Sequence, residues 1–204
     1  MKKLLALVSL ATLLLTGQAL AQVDPDVDMI GIYFDPEATT WCVNPGDIGP
    51  LDAFLCLTSA SADSGVAGWE CTIEVTSGFF VLEWELQGVG ASNFSTEPEF
   101  IVGLAEPLLW EPVIVLMRFS VGAFLPDPIN LRVLPIANPS LPPDPWALPA
   151  YADGDNPNHL IPMGYAGGWD TTTGDPYVCA QINAGCDVIP TEDATWGGVK
   201  SLYR

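Results

Sequence analysis

Between Asp28 and Ile136 the chain repeats one local pattern: a run of aliphatic, aromatic and β-branched residues, closed by glycine, proline, aspartate or asparagine. Seven such runs succeed one another, namely DMIGIYF, LDAFLCLTS, AGWECTIEV, FFVLEWELQ, EFIVGLA, EPVIVLMRFSVGAF and PINLRVLPI. Strand-length apolar runs broken this often leave no room for helices, and no 3.6-residue periodicity appears in the span. Alternation inside the runs assigns faces. Cys71, Ile73 and Val75 share one side of WECTIEV and Glu70, Thr72 and Glu74 the other, because successive side chains point to opposite faces of a sheet. In the fourth run Phe80, Leu82, Trp84 and Leu86 form the predicted core face. Arg132 stands opposite the apolar set Ile129, Leu131 and Val133.

Short alternating strands with a Ser77-Gly78 hairpin signal predict an all-β, immunoglobulin-like, two-sheet antiparallel sandwich over residues 22–137. A jelly roll that recruits later strands is the second architecture. Residues 138–190 change texture. NPSLPPDPWALP reads as an extended strap, and the stretch from Ala150 onward is rich in Gly, Asp and Asn, so this span is expected as a loop-rich C-terminal extension packed on the sandwich. In residues 191–204 Trp196, Val199, Leu202 and Tyr203 fall at helical spacing, which predicts a short terminal helix or tail. The Gly197-Gly198 pair costs a helix interior about 2 kcal/mol, so such a helix would need the domain for support.

Residues 1–21 carry Lys2 and Lys3, an apolar run from Leu4 to Leu15 and an Ala19-Leu20-Ala21 end, the pattern of a cleaved secretory signal. The expected location is secreted or cell surface, extracellular or periplasmic. Without that segment Arg118, Arg132, Lys200 and Arg204 stand against 25 carboxylates, a net charge of about −21. Such a surface repels phosphate, which excludes nucleic acid and anionic membrane as partners.

All five cysteines lie beyond the signal and meet an oxidising compartment. Only Cys179 and Cys186 are close in sequence, and the sole histidine is His159, so neither a zinc site nor a thiolate nucleophile has its usual neighbours. Structural disulfides remain. Cys42–Cys71 is the favoured first pair, with Cys56–Cys71 as its alternative; Cys179–Cys186 is the second. Cys56 is then left as a buried thiol or a link to another chain.

No nucleophile elbow, phosphate loop, dinucleotide fingerprint or zincin motif occurs, and the chain is expected not to be an enzyme. The cofactor expectation is none, or Ca²⁺ at DGDNPN, where Asp153, Asp155, Asn156 and Asn158 offer hard oxygen ligands in a turn. Among seven tryptophans, Trp146 and Trp169 sit in Gly/Pro-rich loops and are the candidates for stacking on a glycan.

The strand order and composition resemble immunoglobulin-like or cohesin-like modules of secreted bacterial proteins. The closing TWGGVKSLYR resembles a terminal tail of uncharacterised exported bacterial proteins. A cohesin-like fold implies protein binding through a sheet face. The expected function is therefore a noncatalytic extracellular structural or protein-binding module, such as a subunit of a surface or filament assembly, with a protein partner or self-assembly. The alternative is a carbohydrate-binding module using the loop tryptophans, supported by calcium.

Overall fold

The computed structural model describes residues 26–45, 49–75, 79–123, 128–184 and 186. Among these, every regular element is a strand: β1 (Met29–Tyr33), β2 (Cys42–Val43), β3 (Pro50–Thr58), β4 (Val66–Val75), β5 (Phe79–Leu86), β6 (Ser92–Asn93), β7 (Glu99–Leu108), β8 (Val113–Ala123), β9 (Ile129–Leu134), β10 (Ala150–Asp153), β11 (Leu160–Pro162), β12 (Gly164–Tyr165) and β13 (Ala180–Ile182). The signal-like segment, the Ser77-Gly78 turn and the segment expected to form a terminal helix lie outside the described residues.

Two sheets face each other. The first runs β12-β1-β3-β8-β5. In the second, β4 is flanked on one side by β7, which carries β6 at its outer edge. On the other side β10 pairs with the first half of β4 and β9 with its end, since Glu70 lies opposite Ala150 and Thr72 opposite Leu134. β11 extends β10, and β13 with β2 extends β9. The sandwich is antiparallel except at β1–β12 and β13–β2, which are parallel.

The core between the layers is what alternation dictates. Ile30 and Ile32 of β1, Leu55 and Leu57 of β3, Cys71 and Ile73 of β4, Phe100 and Val102 of β7, and Leu131 and Val133 of β9 are all buried. Glu74 and Arg132 meet on the outer face as an ion pair. Two bulges break the rule. In β5 the register shifts between Val81 and Glu83, so Leu82 is 52% exposed while Val81, Trp84 and Leu86 pack on the core. The predicted core place of Leu82 is thus corrected: one extra residue in a strand reverses the faces on one side of it. Trp84 itself is core, edge-on to Phe100 at 4.9 Å and tilted against Phe119 at 5.1 Å. In β8 the shift opposite Leu55 and Cys56 turns both Leu116 and Met117 inward.

Residues 138–184 do not rest on a finished sandwich. They supply β10 and β13 to the second sheet and β12 to the first. Tyr151 of β10 is fully buried, and its hydroxyl donates to Asp28 Oδ1 at 2.7 Å. The strap between Ile136 and Leu148 is fixed to the outer face of β4: Ser140 donates from its backbone N–H (2.8 Å) and from Oγ (2.6 Å) to the two oxygens of the buried Glu70 carboxylate.

The disulfide pairing differs from expectation. Cys42 bonds Cys186, with Cα atoms 5.5 Å apart, while Cys71 and Cys179 are buried thiols. The cause is the parallel β2–β13 pairing, which sets Gln181 beside Cys42 and brings the following chain back over it. Cys56 is a buried thiol on the outer side of β3, within a small cluster with Tyr33, Ala38 and Ala166. Burial pushes the Cys179 thiol up to about 11 and the Cys56 and Cys71 thiols higher still.

Candidate functional site

The outer face of β7, β4 and β10 carries a stripe of very small residues. Antiparallel register places Gly103 beside Gly68 and Gly68 beside Ala152, and the next row is Ile101, Glu70 and Ala150. A sheet face built this way has almost no side-chain relief. The rim supplies it: Ile101 stands on one side, with the Phe94 ring over neighbouring Gly103, Pro157 and Leu160 stand on the other, and Ser140 of the strap closes one end. The result is an open trough of about 250 Å³.

Phe94 is held there by local structure. Its N–H donates to the Ile101 carbonyl at 2.8 Å, and the Asn93 side chain accepts from the N–H groups of Ser95 (3.0 Å) and Ile101 (2.9 Å). The ring lies over Gly103, where a Cβ would stand 3.1 Å from its Cε2 atom, so this glycine is the space the ring occupies. Phe94 remains 75% exposed and Ile101 36%. Large apolar side chains left in water beside a flat floor of glycine and alanine mark a surface that gains by being covered.

The chemistry available is limited. Glu70 is the one ionisable side chain lining the trough, and both its oxygens already accept from Ser140. The trough can bury apolar surface and offer backbone groups at its rim.

The structure places the other candidates apart from it. Asp153 Oδ1 accepts from Ser64 Oγ and from the Asp155 N–H (3.1 Å), and Oδ2 faces His159 Nδ1 at 3.3 Å. These bonds hold the Asp153 carboxyl below the usual carboxylate range, the Ser64 hydroxyl foremost. Asp155, Asn156 and Asn158 are exposed in the same turn, where the backbone closes on itself from Asn156 to Asp153 and from His159 to Asn156. No group of three or more His, Cys, Asp or Glu converges among the described residues. Trp146 is covered on its ring by Gly174, where a Cβ would stand 2.5 Å from Cδ2. Trp169 packs edge-on to Tyr165 at 6.3 Å and against the core. Both indoles are half-buried, each packed on its own part of the C-terminal loops.

Sequence reasoning missed the trough. One signal was present: in EFIVGLA the outward positions are Glu99, Ile101 and Gly103, and an isoleucine beside a glycine on a solvent face is out of pattern.

No family model matches the chain, and no curated protein matches it in sequence. Among solved structures it is similar to the sixth cohesin of scaffoldin B from Acetivibrio cellulolyticus, determined in complex with a dockerin. That likeness has 10% identity and a TM-score of 0.46, and covers 76% of this chain and 96% of the other. A type I cohesin–dockerin complex from Clostridium thermocellum, with the OlpA cohesin, aligns at 15% identity and a TM-score of 0.44, covering 76% and 97%.

Proposed function

We propose that this chain is an exported, noncatalytic protein-binding module, and that its partner lies on the trough across β7, β4 and β10. The observation that carries the reading is the pairing of exposed Phe94 and Ile101 with the small-residue floor of Gly103, Gly68 and Ala152. A partner presenting a flat apolar strip would seal it, and an aromatic side chain that loses its water on binding is a frequent source of binding energy. The net charge of −19 favours basic residues around that strip, because complementary charge speeds encounter and penalises wrong partners. The noncatalytic part is supported by the commitment of Glu70 to Ser140, which leaves the trough without a free acid or base. Export is supported by the signal-like residues 1–21 and by the Cys42–Cys186 bridge, since such bridges persist in oxidising compartments.

The test is site-directed photo-crosslinking in the exporting cell from position 94, with position 177 as an exposed control. One defined protein should be captured from position 94 and not from 177. Phe94→Ser with Ile101→Asp should then weaken binding of that purified protein by about thirtyfold or more, the size of one hot-spot residue. Unchanged affinity in the double variant, with the fold intact by circular dichroism, rejects the reading.

A further inference from the structure

Glu70 sits in the middle of the trough, in the row Ile101, Glu70 and Ala150, with Gly68 two residues away on the same strand. It is 5% exposed, and its two oxygens accept from the N–H (2.8 Å) and the Oγ (2.6 Å) of Ser140. Both donors are neutral. The described basic side chains are engaged elsewhere, Arg118 by Asp52 and Glu85, Arg132 by Glu74 and His159 by Asp153, so no ion pair among the described residues reaches Glu70. A buried carboxylate is ordinarily paired with a cation, because two neutral donors offset only part of its lost hydration. Glu70 departs from that rule beside an apolar surface left open to water.

We infer that the missing counter-charge arrives with the partner: one arginine of the bound protein lays its stem on the Gly68 and Ala152 floor and sets its guanidinium against Glu70. The inference rests on the docking reading above and names the group that the trough selects within the partner's apolar strip. Three features support it. The first is acceptor capacity. A carboxylate offers about four acceptor positions and Ser140 fills two, so a guanidinium can bind without displacing the strap. Ser140 then acts as a positioning residue that holds the carboxylate in one orientation.

The second is shape. Glycine and alanine leave the floor low, and the two-residue step from Gly68 to Glu70 covers about 7 Å of strand, a length that an extended arginine stem can follow while its head reaches the charge. The third is charge. A chain with a net charge of −19 draws cationic partners, and a pair sealed beneath the apolar cover is screened by salt far less than one on the open surface. Arginine is favoured over lysine because its planar fork meets a carboxylate in two bonds and is more weakly hydrated.

The experiment titrates the chain from Gln22 onward with n-butylguanidinium, n-butylammonium and the neutral isostere n-butylurea, followed by amide chemical shifts at 0.15 M salt. Butylguanidinium should bind tenfold or more tighter than butylurea, and tighter than butylammonium, with its shifts confined to Gly68, Glu70, Ile101, Gly103 and Ser140. Glu70→Gln keeps an acceptor for the Ser140 N–H and a donor for its Oγ, so the strap stays in place; the preference for butylguanidinium should vanish in it. Should that variant lose its native amide spectrum, the three probes on the unaltered chain still decide. Equal binding of butylguanidinium and butylurea, an unchanged preference in a folded Glu70→Gln, or shifts spread over the acidic surface overturns the inference, and equal binding of butylammonium overturns the choice of arginine. Capture of a protein from position 94 alongside a negative titration removes the arginine and keeps the docking reading. A guanidinium held at Glu70 with no capture does the reverse.

Discussion

Tyr151 is the residue through which the C-terminal part of the chain is fastened to its beginning, and Tyr151→Phe isolates that fastening. The side chain is fully buried. Its hydroxyl donates to Asp28 Oδ1 at 2.7 Å and accepts from the Ala62 N–H at 3.2 Å, with Ser61 Oγ at 3.4 Å. Phenylalanine keeps the ring and its packing, so no cavity larger than one oxygen is created. What is lost is a hydrogen bond to a carboxylate and the acceptor for a buried backbone N–H. Asp28 retains the Ser61 N–H at 2.7 Å, which limits its loss. A bond to a charged group contributes about 1.5–3 kcal/mol and an orphaned N–H costs about 1–3, so the partly compensated sum is about 2 kcal/mol. For a chain of this size that lowers Tm by about 4–8 °C.

Urea unfolding followed by tryptophan fluorescence measures the difference at pH 7, and the same pair of proteins carries a pH signature. Burial, with Asp28 adding to it, pushes the Tyr151 hydroxyl up to about 12. A group whose folded value is raised stabilises fully below its unfolded value of about 10, and that contribution is lost as pH climbs toward 12. The gap between wild type and Tyr151→Phe should therefore be constant up to about pH 10 and narrow above it. A difference under about 0.5 kcal/mol at pH 7, the range of an ordinary surface change, would refute the idea that this hydroxyl joins the two parts of the chain. So would a gap that does not depend on pH between about 10 and 12.

The disulfide should appear in a non-reducing digest as a Cys42–Cys186 peptide, with Cys56, Cys71 and Cys179 blocked from thiol reagents until urea is added. Its closed loop spans a sequence separation of 144; loop entropy sets an upper figure of about 5 kcal/mol for its removal by Cys42→Ser with Cys186→Ser. Ser140→Ala removes one of two bonds to Glu70, and the strap should then be cut by a nonspecific protease faster than in wild type while the global unfolding free energy moves by only about 1 kcal/mol.

Strand parity explains which parts of this fold were legible. The burial of Cys71 and Ile73, and the outward Glu70 and Glu74, needed only a two-residue period maintained over a strand of ordinary length. The same rule failed at Leu82, because a bulge is a count of residues against the neighbouring strand and leaves no mark in its own sequence. β2, β12 and β13 are two or three residues long, too short to display any period, yet β12 and β13 carry the C-terminal part of the chain into both sheets. The trough was hidden for a related reason. Gly103, Gly68 and Ala152 are each unremarkable in their own segments and become one floor only through the register of three strands.

The cysteines show how a correct local reading can refute a long-range one. Parity turned Cys71 into the core, and a thiol facing the second layer from the middle of β4 is poorly placed to meet a cysteine in the connection after β1. Cys42 lies half-buried in a short strand at the end of its sheet, and its partner had to come from another segment reaching the same edge. Cys179 is buried as well, with its Sγ 3.4 Å from the Leu131 carbonyl oxygen. Facing assigned from alternation thus argues against Cys71 alone, and it is the β2–β13 pairing that brings the segment carrying Cys186 to Cys42.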